Sequence, residues 1–168
     1  MNEKMLKVTV TAPVYTTEVR SKVSDALHYL FKFDDADLQV EPAHDIVQLE
    51  IDPSITYEVP FERLLLKFTQ PESLLQLHTL FRTNYIVEAA RGVLYSNRRK
   101  GIGVVQITEF LLNKQAAFSK KIHFCDENES SLGPIKVEIQ SDDLDAIIDW
   151  LTPRTKDGEV LEPDTPLA

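Results

Sequence analysis

Hydrophobic and polar residues alternate with a period of two from the start of the chain. Leu6, Val8, Val10, Ala12 and Val14 are separated by Lys7, Thr9 and Thr11, which predicts a half-buried strand. The period then changes to that of a helix, because Val19, Val23, Ala26, Leu27, Leu30 and Phe31 fall on one face. Thr16 or Thr17 is positioned to cap this helix, and Glu18 suits its positive end. Asp34 to Asp37 reads as a solvated connection.

Alternation returns at Val47, Leu49 and Ile51, stops at the turn Asp52-Pro53-Ser54, and resumes at Ile55, Tyr57 and Val59. Leu64, Leu66 and Phe68 predict a separate strand after Pro60. These connections are too short for a helical crossover, so antiparallel pairing is expected. Thr69-Gln70-Pro71-Glu72 fits a capping box ahead of a helix bearing Leu74, Leu77, Leu80 and Phe81. A break near Thr83-Asn84 precedes a second stripe of Ile86, Ala89, Ala90, Val93 and Leu94, closed by Gly101 in a left-handed cap. Further on, Val105 to Leu112, Ile122 to Cys125, and Ile135, Val137 and Ile139 predict strands. Asn113 to Ala117 reads as a turn or short helix. Ser141 is expected to cap a last helix carrying Leu144, Ile147, Ile148 and Leu151. Strands outnumber crossover helices, so the fold class is α+β: a largely antiparallel sheet with helices packed mainly on one face. Residues 1–154 are expected to form one domain and 155–168 an acidic, proline-bearing tail.

Composition changes the picture through charge. The chain of 168 residues carries a formal net charge of −9, which repels nucleic acid and anionic membranes overall. The distribution is uneven. Residues 82–121 hold 8 basic and 2 acidic side chains, whereas residues 122–168 hold 3 basic and 12 acidic ones. Arg91, Arg98, Arg99, Lys100, Lys114, Lys120 and Lys121 are the candidate RNA-binding residues of this basic island. The bland alternative is that they neutralise the acidic flanks or lie across a subunit interface. One cysteine, no signal-like opening and no long apolar run make the cytoplasm the expected location, with no membrane partner.

Catalytic and metal chemistry find little support. His123 and Cys125 are two apart in a predicted strand, so they share a side, but no third orienting group is evident. Asp126, Asn128 and Ser130 imitate a calcium loop that then fails, with Ser131 where glycine belongs and Val137 where glutamate belongs. His28, His44, His78 and His123 show no metal-ligand spacing, and Gly101-Ile102-Gly103 lacks the third glycine of a dinucleotide fingerprint. Asp142, Asp143 and Asp145 at a helix start are explained by its dipole. Neither a cofactor nor a small-molecule substrate is expected.

Leu112-Asn113-Lys114-Gln115-Ala116-Ala117, His123-Phe124-Cys125, Leu132-Gly133-Pro134-Ile135 and Asp149-Trp150-Leu151-Thr152-Pro153-Arg154 resemble the signature of an archaeal family, uncharacterised protein family 201. Ala89-Ala90-Arg91 and the opening strand and helix fit it too. The resemblance implies an α+β domain similar to the large-subunit ribosomal protein that binds 5S ribosomal RNA, forming dimers. It carries over no catalytic residue. The leading expectation is a non-enzymatic, dimerising interaction module, and the competing one is RNA binding through the basic island.

Overall fold

A computed structural model describes residues 5–127, 133–163 and 167. Strand β1 (Leu6–Val14) leads to helix α1 (Arg20–Leu30), then β2 (Gln39–Gln48) and β3 (Thr56–Phe68). Helices α2 (Leu75–Thr83) and α3 (Val87–Ser96) follow, then β4 (Arg99–Lys100), β5 (Gln106–Asn113) and α4 (Lys114–Phe118). The chain continues through β6 (Pro134–Ser141) and α5 (Leu144–Leu151) to a small hairpin of β7 (Thr155–Lys156) and β8 (Glu159–Val160). Six strands form one antiparallel sheet in the order β2-β3-β1-β6-β5-β4.

One face of this sheet is apolar. Val8, Val10, Ala12, Leu64, Leu66, Phe110, Leu112, Ile135, Val137 and Ile139 are buried there against Val23, Leu27 and Leu30 of α1, Leu77 and Phe81 of α2, Ala90 and Leu94 of α3, and Ile147, Ile148 and Leu151 of α5. The other face carries the alternate residues, among them Thr9, Thr11, Lys67, Lys136 and Glu138. The α+β architecture and the placement of helices on one face follow directly from the alternation in β1, β3 and β6.

Local signals were overridden in several places. Helix α1 starts after Val19, which is 56% exposed, and neither Thr16 nor Thr17 caps it. Glu18 instead turns back, its Oε1 accepting from the Tyr15 amide. The Thr69–Glu72 capping box does not form: Gln70 precedes a 3-10 turn over Pro71–Leu74, and α2 follows it. The expected break after α2 is present, with Tyr85 at φ 56°. Gly101 is not a helix cap, because α3 ends at Asn97 and Arg99-Lys100 pair with Gln106-Ile107. Asp143, not Ser141, caps α5 by accepting from the Ala146 amide, while Ser141 closes β6 and donates to the Met5 carbonyl. The segment Ile122–Cys125 contributes one bridge, Phe124 opposite Leu112, not a full strand.

The largest departure is β3, which runs unbroken through Pro60 and pairs with β2 from Gln39↔Leu65 to Gln48↔Thr56. The reason lies in ladder parity. The Leu49 amide donates to the Ile55 carbonyl at 3.0 Å, the position next in register. Antiparallel ladders alternate, so odd-numbered residues of β2 bond inward and even-numbered ones point to the open edge. By the same register the Pro60 nitrogen points away from β2, towards a side that β1 leaves unoccupied, since β1 meets β3 only from Glu62 onward. Pro42 points outward as well. Neither ring costs the sheet a bond.

Outward of Glu62 the β2–β3 hairpin therefore projects as an arm with no third strand beside it among the described residues. Ile46, Leu49, Ile51, Ile55 and Tyr57 are all exposed on this arm, Ile51 completely.

Candidate functional site

The seven basic residues singled out by sequence do not form one free face. Arg91 Nη1 donates to Asp149 at 2.8 Å and to the Thr152 carbonyl at 2.9 Å. Arg98 Nη1 donates to Asp145 at 2.6 Å, and Arg99 Nη2 to Glu138 at 3.1 Å. Tyr95 lies between the first two guanidinium groups, 4.9 Å from that of Arg91 and 5.6 Å from that of Arg98. The pairing holds Asp145 below the ordinary carboxylate range, chiefly through the Arg98 hydrogen bond, and raises Arg98 further.

Two of these pairs join α3 and the residue just past its end to α5. Arg91 lies on α3 and Arg98 just past its end, before β4, while Asp145 and Asp149 are four apart on α5 and share a face of it. The first arginine meets the later aspartate, so the helices run in opposite directions along this seam. Of the three aspartates that read as simple helix-start residues, Asp145 is a counter-charge of the basic island, whereas Asp143 caps α5.

Lys114 is buried outright. Its Nζ donates to Glu18 Oε1 at 2.7 Å and to the Pro13 carbonyl at 2.7 Å, and it sits 5.4 Å from the centre of the Tyr15 ring. The side chains of Lys114 and Glu18 are 0% and 5% exposed. Desolvation pushes the Lys114 ammonium below its usual range, and Glu18 opposes that push. Asn113 caps α4 by accepting from the Ala116 amide, and Ala117 packs into the core beside α1. The Asn113–Ala117 segment thus has a structural role: cap, buried cation and small packing residue, fastening the end of β5 to the start of α1.

Lys100, Lys120 and Lys121 remain. All three are exposed and form no ion pair among the described residues, although Lys120 lies over the Tyr29 ring at 5.6 Å. Lys100 lies on β4 while Lys120 and Lys121 are neighbours in the connection after α4, and so few cations make a poor track for a phosphate backbone.

Sequence reasoning missed Arg82, the most heavily bonded cation. It donates to both oxygens of Glu162 and to the carbonyls of His78, Trp150 and Leu151. It satisfies two carbonyls at the end of α5 and holds the segment after β8, a segment expected to be a tail. Nothing in local pattern marks it, since its partners other than His78 lie 68 to 80 residues away.

A cleft of about 660 Å³ lies between α3 and the edge of β5, lined in part by Gly92, Ser96, Asn97, Glu109, Cys125 and Lys136. Lys136 Nζ sits 3.1 Å from Glu109 Oε2, which neutralises its one half-buried carboxylate. His123 is exposed while Cys125 is half-buried at the rim. Among the described residues no three His, Cys, Asp or Glu side chains gather to hold a metal ion. The calcium-like loop falls largely in 128–132, outside the described residues. No helix among the described residues is long and apolar enough to cross a membrane.

Comparison with known proteins places this geometry in a family. The chain is 36% identical over 156 residues to the UPF0201 protein of Methanopyrus kandleri, covering 91% of this chain and 88% of that one. It is 38% identical over 155 residues to the UPF0201 protein of Sulfolobus acidocaldarius, covering 92% of each. It belongs to the UPF0201 family. A family model described as "RNA binding" matches residues 7–141. Among solved structures, the UPF0201 protein of Methanococcus jannaschii superimposes with a TM-score of 0.65 at 26% identity, covering 92% of this chain and 98% of that one. The UPF0201 match bears out the resemblance drawn from the carboxyl-terminal motifs, and the family's archaeal distribution with it.

Proposed function

We propose that this UPF0201 protein is a non-enzymatic interaction module that works as a homodimer. The observation that carries the reading is the projecting arm. It gathers Ile46, Leu49, Ile51, Ile55 and Tyr57 in exposed positions, on a chain whose core is otherwise well filled. Leu49, Ile55 and Tyr57 share one face of the ribbon and Ile46 lies on the other, and large apolar side chains left exposed together on a projecting element favour a protein–protein surface. The internal pairing of Arg91, Arg98, Arg99 and Lys114 agrees with it, because those charges are committed to holding the domain together. Light scattering coupled to size exclusion tests the reading: a mass twice that of the 19.1 kDa chain is expected, and a single-chain mass at micromolar concentration refutes it.

RNA binding is the second reading, favoured by the description of the matching family model. Of the seven candidate cations, those left for it are Lys100, Lys120 and Lys121. It requires that a labelled structured RNA shift at low salt, with affinity falling steeply as salt rises. Replacing the three lysines by glutamate would abolish that shift. If no shift is seen at low salt, the RNA reading is finished.

A further inference from the structure

The two edges of the six-stranded sheet are treated differently. On the β5 side the edge is largely occupied: β4 pairs at Ile107, Asn97 Nδ2 donates to the Glu109 carbonyl, and the Cys125 amide and His123 carbonyl bond to Leu111 and Asn113. On the β2 side no described element lies beyond the strand. There the even-numbered residues point their amides and carbonyls outward, and Pro42 has no amide to offer. The usable edge is therefore short: His44, Ile46 and Gln48. Proline near one end and acidic residues nearby (Asp45, Glu50, Asp52, Glu58) are the devices by which sheets limit edge pairing. They restrict this edge without closing it, since Ile46 at its centre is 67% exposed.

We infer that β2 pairs antiparallel with β2 of a second copy, about a twofold axis through Ile46. This rests on the homodimer reading above and names its surface. In that register His44 of each copy faces Gln48 of the other, Ile46 faces Ile46, and all these residues bond outward. Three hydrogen-bonded pairs join the two sheets into one. Between them Asp45 of one copy lies opposite Val47 of the other, so no like charges are opposed.

Registers centred nearer the amino end of β2 are worse. Centring on Asp45 sets two carboxylates face to face. Centring on His44 brings in Pro42 and forfeits an amide on each copy. The pattern is self-complementary in this setting, as an isologous contact requires, and the Ile46-centred register makes three outward-bonding pairs within β2 where a Val47-centred one makes two. A nucleic acid is the wrong occupant, because the arm from Glu41 to Glu62 carries Glu41, Asp45, Glu50, Asp52, Glu58 and Glu62 and no lysine or arginine.

Parity supplies the test. The Ile46 amide points outward, so Ile46→Pro removes a donor from the edge while leaving the ladder to β3 whole. Ile46→Lys places a charge on the axis without touching the backbone. Sedimentation equilibrium of the full chain should give two-chain mass for the wild type and one-chain mass for both variants, each retaining native circular dichroism. Should the wild type be dimeric and Ile46→Lys remain so, the surface assigned here is wrong although the dimer stands. A monomeric wild type overturns both.

Discussion

Lys114 and Glu18 form a salt bridge of 2.7 Å with neither side chain appreciably open to water, linking residues 96 apart in sequence. Such a pair is poor at adding net stability, because both charges have been taken out of water. Breaking it is another matter. Glu18→Ala leaves a buried ammonium without its counter-charge, and should cost about 3–5 kcal/mol. Lys114→Met with Glu18→Met removes both charges and should recover most of that loss. Denaturant unfolding of the two variants distinguishes these outcomes.

Acid should weaken the fold through its surface pairs. Asp145 is held below the ordinary carboxylate range chiefly by the Arg98 hydrogen bond, and Glu162 by the Arg82 hydrogen bond. A carboxylate whose folded value is depressed contributes stability above its unfolded value, near ~4, and loses it as pH falls through the folded value. Unfolding midpoints should therefore drop below about pH 4. Arg98→Gln should flatten that dependence, and high salt should reduce it, since Asp145 is largely exposed.

Glycines at positive φ separate strain from crowding. Gly133 has φ +76°, and a Cβ there would lie 2.7 Å from Pro13 Cγ. Gly103 has φ +65° with nothing within 4 Å. Gly103→Ala should cost about 1 kcal/mol from backbone conformation alone. Gly133→Ala adds a clash with a ring on β1 and should cost roughly 2–4 kcal/mol. Thermal melts of the pair check the ordering.

Thr108 is fully buried on β5 and its hydroxyl donates to the Leu94 carbonyl, near the end of α3 where helical amides run out. Thr108→Val keeps the shape and orphans that carbonyl. A loss of about 1–3 kcal/mol is expected, measured by chemical denaturation. Thr108→Ser should retain the bond and lose less.

What was legible in the sequence follows from what each signal depends on. Alternation in β1 and β6 is a property of one strand facing one core, and it reads correctly. The outer strand β2 was visible only from Val47 onward, because Glu41-Pro42-Ala43-His44-Asp45 faces water and carries no alternation. Pro60 looked like a strand break because its parity in the ladder depends on where β1 stops. The capping residues at Thr69 and Ser141 are sound local choices that tertiary packing overruled. The basic island was found as a run of charge, but its aspartate partners lie 47 and 58 residues on, in a helix that advertises only its own dipole. Lys114 was placed among surface cations because sequence carries no sign that its neighbours would enclose it.

The seam between α3 and α5 has a mechanical consequence. Arg91–Asp149 and Arg98–Asp145 engage α5 at two points in opposite order, so sliding α5 by one turn, about 5.4 Å, uncouples both at once. The arrangement works as a two-pin latch that admits a single setting. The ribbon of β2 and β3 at the opposite edge of the sheet has no comparable double tie outward of Glu62 among the described residues.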